Sequence, residues 1–373
     1  MKFTIERTDL LRSLNHVHSV VERRNAIPIL ANVMLRAEKD SLSLTTTDMD
    51  LEIVESVAAR TSVTGTTTVP VHTLYDIARK LGEGAVVEFS SASGDTTMLV
   101  KSGKSTFRLG CLPTEDFPKM GSSEKFSCSF SIPAADLRTL VDRTRFAISS
   151  EETRYYLNGI YLHAAENENV QVLRAVATDG HRLARFEMPL PEGARGMPGV
   201  IIPRKAINEI RKLIDEAGDA IEIGLSDNKM KFSFDHVSLT TKLIDGTFPD
   251  YNRVIPKGNE KILEVSPDIF SSAVDRVSTI SSEKSRAVKL AISGKTMTLS
   301  ANSPDSGSAS EEIEIRFNAA PMEIGFNSAY LMDVTRQIEG EGCRISLSDS
   351  ASPAVIQDVS DTSSLYVLMP LRV

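Results

Sequence analysis

Residues 3–17 read FTIERTDLLRSLNHV, and nearly the same pattern returns as FSIPAADLRTLVDRT at 130–144 and LEVSPDIFSSAVDRV at 263–277. Each copy opens with a short alternation of apolar and polar residues, the period of a strand. It then passes a polar residue or proline into a stretch with the period of a helix. Ile5, Ile132 and Val265 occupy one strand offset; Leu10, Leu137 and Phe270 come next, and Leu14, Val141 and Val274 follow four residues later on the same helical face.

A second helix repeats in step with the first. PVHTLYDIARKL at 70–81, PRKAINEIRKLI at 203–214 and NSAYLMDVTRQI at 327–338 place apolar residues at offsets of 4, 7 and 11: Leu74, Ile77 and Leu81; Ile207, Ile210 and Ile214; Leu331, Val334 and Ile338. That spacing predicts an amphipathic helix, with Pro70 and Pro203 at positions a helix start tolerates. The intervening runs alternate or are rich in β-branched residues, which predicts antiparallel strands joined by short polar turns. Two landmarks keep the same step of 131 residues: Asp48 to Asp179, and Phe117-Pro118 to Phe248-Pro249. In the third copy Ala301-Asn302 is the looser counterpart of Thr47-Asp48 and Thr178-Asp179.

The chain is therefore read as three copies of one α+β domain, 1–122, 128–252 and 253–373, with linkers at KMGSSEKF (119–126) and VIPKGNEK (254–261). The period is far too long for a solenoid. In the third copy the last predicted strand is SLYVLMPLRV, residues 364–373. It ends with nothing to cover its final residues, which leaves them as an open edge or one wall of a groove.

Composition narrows the function. Of 373 residues, 41% are hydrophobic and 25% charged, as in ordinary globular proteins. No apolar run approaches the roughly 20 residues of a membrane span, and Glu6 and Asp9 interrupt the start where a secretory signal would be apolar. A cytoplasmic protein is expected, with Cys111, Cys128 and Cys343 as reduced thiols too scattered for a zinc site. The net charge of −8 argues against nucleic acid by simple count, but binding depends on where the basic groups sit. The four helical stretches of the first two copies (8–24, 71–81, 134–148, 203–217) each carry one net positive charge. Those of the third (267–280, 328–341) carry −1 and −2, which leaves −9 for the rest.

Catalytic patterns are absent. SGKS at 102–105 has Met98 where a phosphate loop needs glycine. In TDGHR, 178–182, Asp179 and His181 suggest acid-base chemistry, but Asp-Gly is a strong hairpin signal. None of the six histidines shows the pairing of a zinc protease, and no dinucleotide fingerprint follows a strand. The sequence names no catalytic residue, metal ligand or cofactor. A hydrolase using Asp179 and His181, and a purely structural repeat protein, stand as the alternatives.

YYLNG at 155–159, ATDGHRLA at 177–184, VIIPRK at 200–205, DGTFPDYNRV at 245–254, MEIGFN at 322–327 and YVLMPLR at 366–372 closely resemble, in order and spacing, the beta-subunit family of bacterial DNA polymerase III. The resemblance covers the whole chain. It implies a clamp fold that forms a ring as a homodimer, encircles double-stranded DNA without sequence specificity, and tethers polymerases to it. Physical reasoning agrees: twelve helices about 10 Å apart make a circle about 38 Å across with about 28 Å inside, room for a duplex of about 20 Å.

The resemblance also assigns residues. DNA contacts fall to Arg24, Tyr155, Tyr156, Arg204 and Lys205, with Glu151 standing where a carboxylate would repel phosphate. Ring closure is expected head to tail. Lys101, Lys104 and Arg108 around Phe107 would face Glu311, Glu312 and Glu314, and Phe107 would pack near Ile280 at a helix end. A groove for extended partner peptides, glutamine followed by leucine and aromatic residues, is expected between the second and third domains. Its walls are Leu157, Thr178, Gly180, His181, Arg182, Leu183, Pro249, Arg253 and Val254, with Asn327, Tyr330, Val367, Leu368, Met369, Pro370, Leu371 and Arg372 opposite. The expected partners are the DNA polymerase III alpha subunit, the clamp loader, and other polymerases and repair proteins carrying such peptides. Ser285, Ala351 and Pro353 depart from the family pattern and predict a shallower pocket wall.

Overall fold

A computed structural model describes residues 1–91, 96–120, 125–281 and 286–372. Among the described residues, six α-helices stand where the periodicity places them: α1 (Arg7–Val17), α2 (Val71–Lys80), α3 (Ala134–Asp142), α4 (Arg204–Ile214), α5 (Pro267–Ser278) and α6 (Ser328–Thr335). Their repeated apolar positions face inward. Leu10, Leu14, Phe270 and Val274 are fully buried, as are Leu74 and Leu331, and each buried aliphatic or phenyl group contributes about 2 kcal/mol by leaving water. Pro70 and Pro203 end strands one residue before their helices, whereas Pro267 is itself a first-turn residue of α5.

The chain divides into two compact units. The first comprises Met1–Arg138, Pro191–Arg195 and Lys205–Leu243; the second comprises Thr139–Leu190, Gly196–Arg204 and Ile244–Val373. The central repeat is thus shared between them.

In the first unit, a five-stranded antiparallel sheet runs Arg60–Val63, Lys2–Glu6, Val86–Ser90, Thr97–Ser102 and Ser105–Gly110. An eight-stranded sheet joins two repeats: Val237–Lys242 of the central repeat pairs with Leu51–Ala58 of the first, Leu239 opposite Ile53. Strict alternation in Lys229–Phe234 buries Met230, Phe232 and Phe234 on one face. Helix α1 packs on Leu51–Ala58 and on α2.

In the second unit, a nine-stranded sheet repeats the device. Arg182–Pro189 of the central repeat pairs with Ser364–Leu368 of the third, Leu183 opposite Val367 and Arg182 opposite Leu368. A four-stranded sheet orders Gly307–Glu314, Thr296–Ser303, Ala287–Ser293 and Met322–Asn327. Helices α5 and α6 pack together, and α5 covers the strands of this sheet.

The strand Ser364–Leu368 is paired on both sides, by Arg182–Pro189 and by Ala354–Asp358, so only the residues after Leu368 are left to form an edge or a wall. Ala301-Asn302, the looser counterpart of Thr47-Asp48 and Thr178-Asp179, lies inside the ladder of Thr296–Ser303 with Gly307–Glu314. One expectation needs correction: helix α5 ends at Ser278, two residues short of Ile280. Val373, residues 121–124 of the first linker and Ser285 lie outside the described residues.

Candidate functional site

The second unit carries an apolar cluster whose buried members include Leu157, Val176, Leu183, Phe248, Tyr251, Leu365 and Val367. Around it stand exposed apolar groups, Val254 at 54% and Met369 at 44%. Half-buried Tyr330, Pro370 and Leu371 and exposed Pro249, Arg253 and Arg372 complete the surroundings. The terminal segment is stitched down on both sides. Met369 N donates to the His181 carbonyl at 2.9 Å, and Leu371 N donates to Gly325 O at 2.8 Å. The buried cluster and the exposed apolar groups beside it make an apolar surface next to a fixed stretch of backbone.

Several expected wall residues have other work. Leu368 is fully buried. It lies one residue from Val367 and therefore on the opposite face of the sheet from Leu183 and Val367. Arg182 shares that far face. Its guanidinium meets Asp179 at 3.2 Å and Asp333 at 2.5 Å, donates to Phe146 O at 2.6 Å and lies 4.4 Å from the centre of the Tyr330 ring. Arg182 thus fixes Tyr330 by a cation–π contact. The Asn327 side chain caps α6, accepting from Ala329 N at 2.9 Å.

The TDGHR segment is a hairpin turn. Thr178 Oγ1 donates to Arg182 O at 2.7 Å, and Asp179 Oδ1 accepts from His181 N at 2.9 Å and Arg182 N at 3.0 Å. Gly180 has φ +89°, and a Cβ there would come within 2.5 Å of Arg154 Nη1. Only glycine fits without strain. Asp179 spends both oxygens holding the turn, and no acid-base pair forms with His181. Ala351 is exposed in a neighbouring turn held by Asp349, and Pro353 O accepts from Asn259 Nδ2 at 2.9 Å.

The basic hairpin is an edge. Ser105–Gly110 is the outermost strand of its sheet, with Lys104 and Arg108 exposed and Phe107 half-buried. Gly307–Glu314 is likewise outermost in the four-stranded sheet, with Glu312 and Glu314 exposed. Glu311 is already paired: Arg276 of α5 holds both its oxygens, at 2.9 and 2.5 Å, and keeps its carboxyl below the usual range. Ile280 is half-buried just beyond α5.

Of the basic candidates, Arg24 and Arg204 are exposed. Lys205 is engaged, its Nζ donating to Val20 O at 2.9 Å and pairing with the Asp48 carboxylate. Tyr155 is 53% exposed, and its ring meets half-buried Tyr156 edge to face at 5.8 Å. The carboxylate of Glu151 is balanced in place: Arg154 donates to it at 2.9 and 2.5 Å, which lowers its pKa. His163 and Arg174, which the sequence analysis assigned no role, meet the hydroxyl of Tyr251 at 3.0 and 2.9 Å. That tyrosine lies inside the DGTFPDYNRV motif, but no periodicity singles it out.

Models of the N-terminal, central and C-terminal domains of the DNA polymerase III beta subunit match residues 1–121, 131–250 and 252–372. The beta sliding clamp of Caulobacter vibrioides is 52% identical over 373 residues, covering both chains completely. Among solved structures, a sliding clamp from Bartonella birtlesii bound to griselimycin is 49% identical with a TM-score of 0.96, covering all of both chains. The DNA polymerase sliding clamp of Caulobacter crescentus is 50% identical with a TM-score of 0.94, again over all of both chains.

Proposed function

Because the chain belongs to the DNA polymerase III beta subunit family, we propose that its apolar trough receives partner peptides and that its two outer sheet edges close the ring. The chain acts as a sliding clamp, a non-catalytic processivity factor that encircles DNA as a homodimeric ring and tethers polymerases. The observation that carries this function is the match of all three family domains, in order, over nearly the whole chain.

The site assignments rest on the geometry above. One edge carries Lys104, Phe107 and Arg108, and the other carries Glu312 and Glu314, with Ile280 beyond α5. Edge strands of opposite charge favour head-to-tail pairing, which closes after two copies. Glu311 contributes less than its neighbours, because Arg276 already neutralises it. The trough supplies apolar surface from Leu157, Leu183, Val367 and Met369, and methionine adapts to differing partners. Arg24, Arg204 and Tyr155 are offered to DNA phosphates, which are read by charge and not by sequence. Domain limits of 1–122, 128–252 and 253–373 and a cytoplasmic location complete the reading; no described helix is long and apolar enough to cross a membrane.

The decisive experiment loads the protein onto closed circular DNA and then linearises it. Retention before the cut and loss after it is the expected result. Equal retention on both forms would replace enclosure with ordinary surface binding.

A further inference from the structure

The sheet face that carries Leu183 and Val367 turns polar a few residues away. His163 stands opposite Arg174 in one ladder and Arg174 opposite Glu187 in the next, so the three form a row across three strands. Arg185 lies on the same face, between Leu183 and Glu187. Arg174 and Glu187 are only 8% and 7% exposed. Arg174 Nε lies 2.8 Å and Arg185 Nε 3.2 Å from Glu187 Oε1. Their N–H groups are not aimed at that oxygen, so the attraction is coulombic. The other Glu187 oxygen accepts from Asn167 Nδ2 at 2.8 Å.

Tyr251 closes over this row. Its hydroxyl accepts from Arg174 Nη1 at 2.9 Å and lies 3.0 Å from His163 Nε2. His163 Nδ1 is 3.0 Å from Ala164 O. A carbonyl only accepts, so Nδ1 carries the proton and Nε2 accepts the hydroxyl hydrogen of Tyr251. The relay therefore has one direction: Arg174 to Tyr251 to His163 to Ala164. Burial holds the His163 pKa below its ordinary value, which keeps the ring neutral as the relay requires.

The ring of Tyr251 meanwhile belongs to the apolar cluster with Leu157, Leu183 and Val367. Phe248 stacks on Tyr161 at 4.8 Å, and Tyr161 stacks on His163 at 4.6 Å. Residues 248–254 are thus pinned at two aromatic anchors, Phe248 and Tyr251, and Pro249, Arg253 and Val254 of that segment are exposed. Packing alone would fill the space under the segment. A buried hydrogen-bonded hydroxyl adds direction, because moving the segment would take the hydroxyl from Arg174 Nη1 and His163 Nε2.

We propose that Tyr251 is a positioning residue for the trough: locked by Arg174 and His163, it fixes where Arg253 and Val254 stand and so sets how tightly an extended apolar peptide docks. This rests on the peptide-groove reading above.

The test titrates the full-length protein against a fluorescently labelled synthetic peptide containing glutamine, leucine and phenylalanine, read by anisotropy. If the unmodified protein fails to bind, or if Met369→Asp binds equally well, the groove reading fails and this inference falls with it. With the groove standing, Tyr251→Phe is expected to raise Kd about fivefold, the scale of one lost hydrogen bond. In an Arg253→Ala, Val254→Ala background the same change is expected to have no further effect. An unchanged Kd, or the same fivefold rise in both backgrounds, overturns the inference and leaves the groove intact. Should Tyr251→Phe not fold, Glu187→Gln loosens Arg174 without touching the tyrosine. A Kd raised there supports the proposal, and an unchanged one overturns it.

Discussion

Leu183 stands directly opposite Val367, 2% and 3% exposed, in the ladder that joins the central repeat to the third. Opposed residues in an antiparallel pair share one face, so each repeat places an apolar side chain in the same buried cluster. The cluster is assembled across the ladder that joins the two repeats within one sheet. Neither repeat carries it alone.

This arrangement separates affinity from stability. Leu183→Ala opens a cavity in the cluster and is expected to cost about 2–5 kcal/mol of unfolding free energy as well as peptide affinity. Met369→Ala, at an exposed position, is expected to shift stability by less than about 0.5 kcal/mol while still weakening peptide binding. Urea unfolding and anisotropy on the same samples measure both quantities. Parallel losses in the two variants would mean that Met369 is a core residue and not a docking surface.

Ring closure is tested at the sheet edges. A Phe107→Arg, Ile280→Asp chain is expected to sediment as a monomer with an unchanged circular dichroism spectrum. Persistence of the dimer would remove both residues from the joint. Glu312→Lys is expected to weaken the dimer more than Glu311→Lys, because Arg276 already occupies Glu311.

Two histidines, His16 buried and His163 half-buried, give pH dependences of opposite sign. His16 lies 2.8 Å from Glu55 and 3.2 Å from Glu216. Burial disfavours its charge, but the two carboxylates outweigh that and raise its pKa. Its contribution to stability is therefore complete below about pH 6.5 and is lost as pH rises through the folded value. For His163 burial dominates and lowers the pKa, so its contribution is present above about pH 6.5 and is lost as pH falls through the folded value. Urea midpoints across pH are expected to be flatter than the parent's above pH 6.5 in His16→Gln and flatter below it in His163→Gln. A His16→Gln profile that superimposes on the parent's would show that the Glu55–His16–Glu216 contact carries no linked proton.

Lys205 and Arg24 are expected to respond differently. Lys205 is tied to Val20 and Asp48, so Lys205→Ala is expected to cost about 1 kcal/mol of stability. Exposed Arg24→Ala is expected to leave stability unchanged and to reduce the salt slope of DNA association by about one counterion. If Lys205→Ala unfolds as the parent does while its salt slope falls, the lysine reaches DNA and its intramolecular ties are incidental.

The sequence by itself determined the threefold repeat, the six helices and their buried faces, because a helix writes its inward side into spacings of three and four residues. Leu10 with Leu14 and Phe270 with Val274 are legible without any partner. The trough residues were legible only as motifs resembling a family, and the turn at Asp179–Gly180 from its own chemistry. Tertiary structure alone decided that Val237–Lys242 joins Leu51–Ala58 and that Arg182–Pro189 joins Ser364–Leu368, so that the compact units cut through the central repeat. It also sent Arg182 and Leu368 to the far face, tied down Lys205 and placed Tyr251 over Arg174. The physical reason is that alternation tells a strand which side to bury but not which distant strand supplies its hydrogen bonds. A charged side chain, likewise, carries no mark of the partner that folding will bring to it.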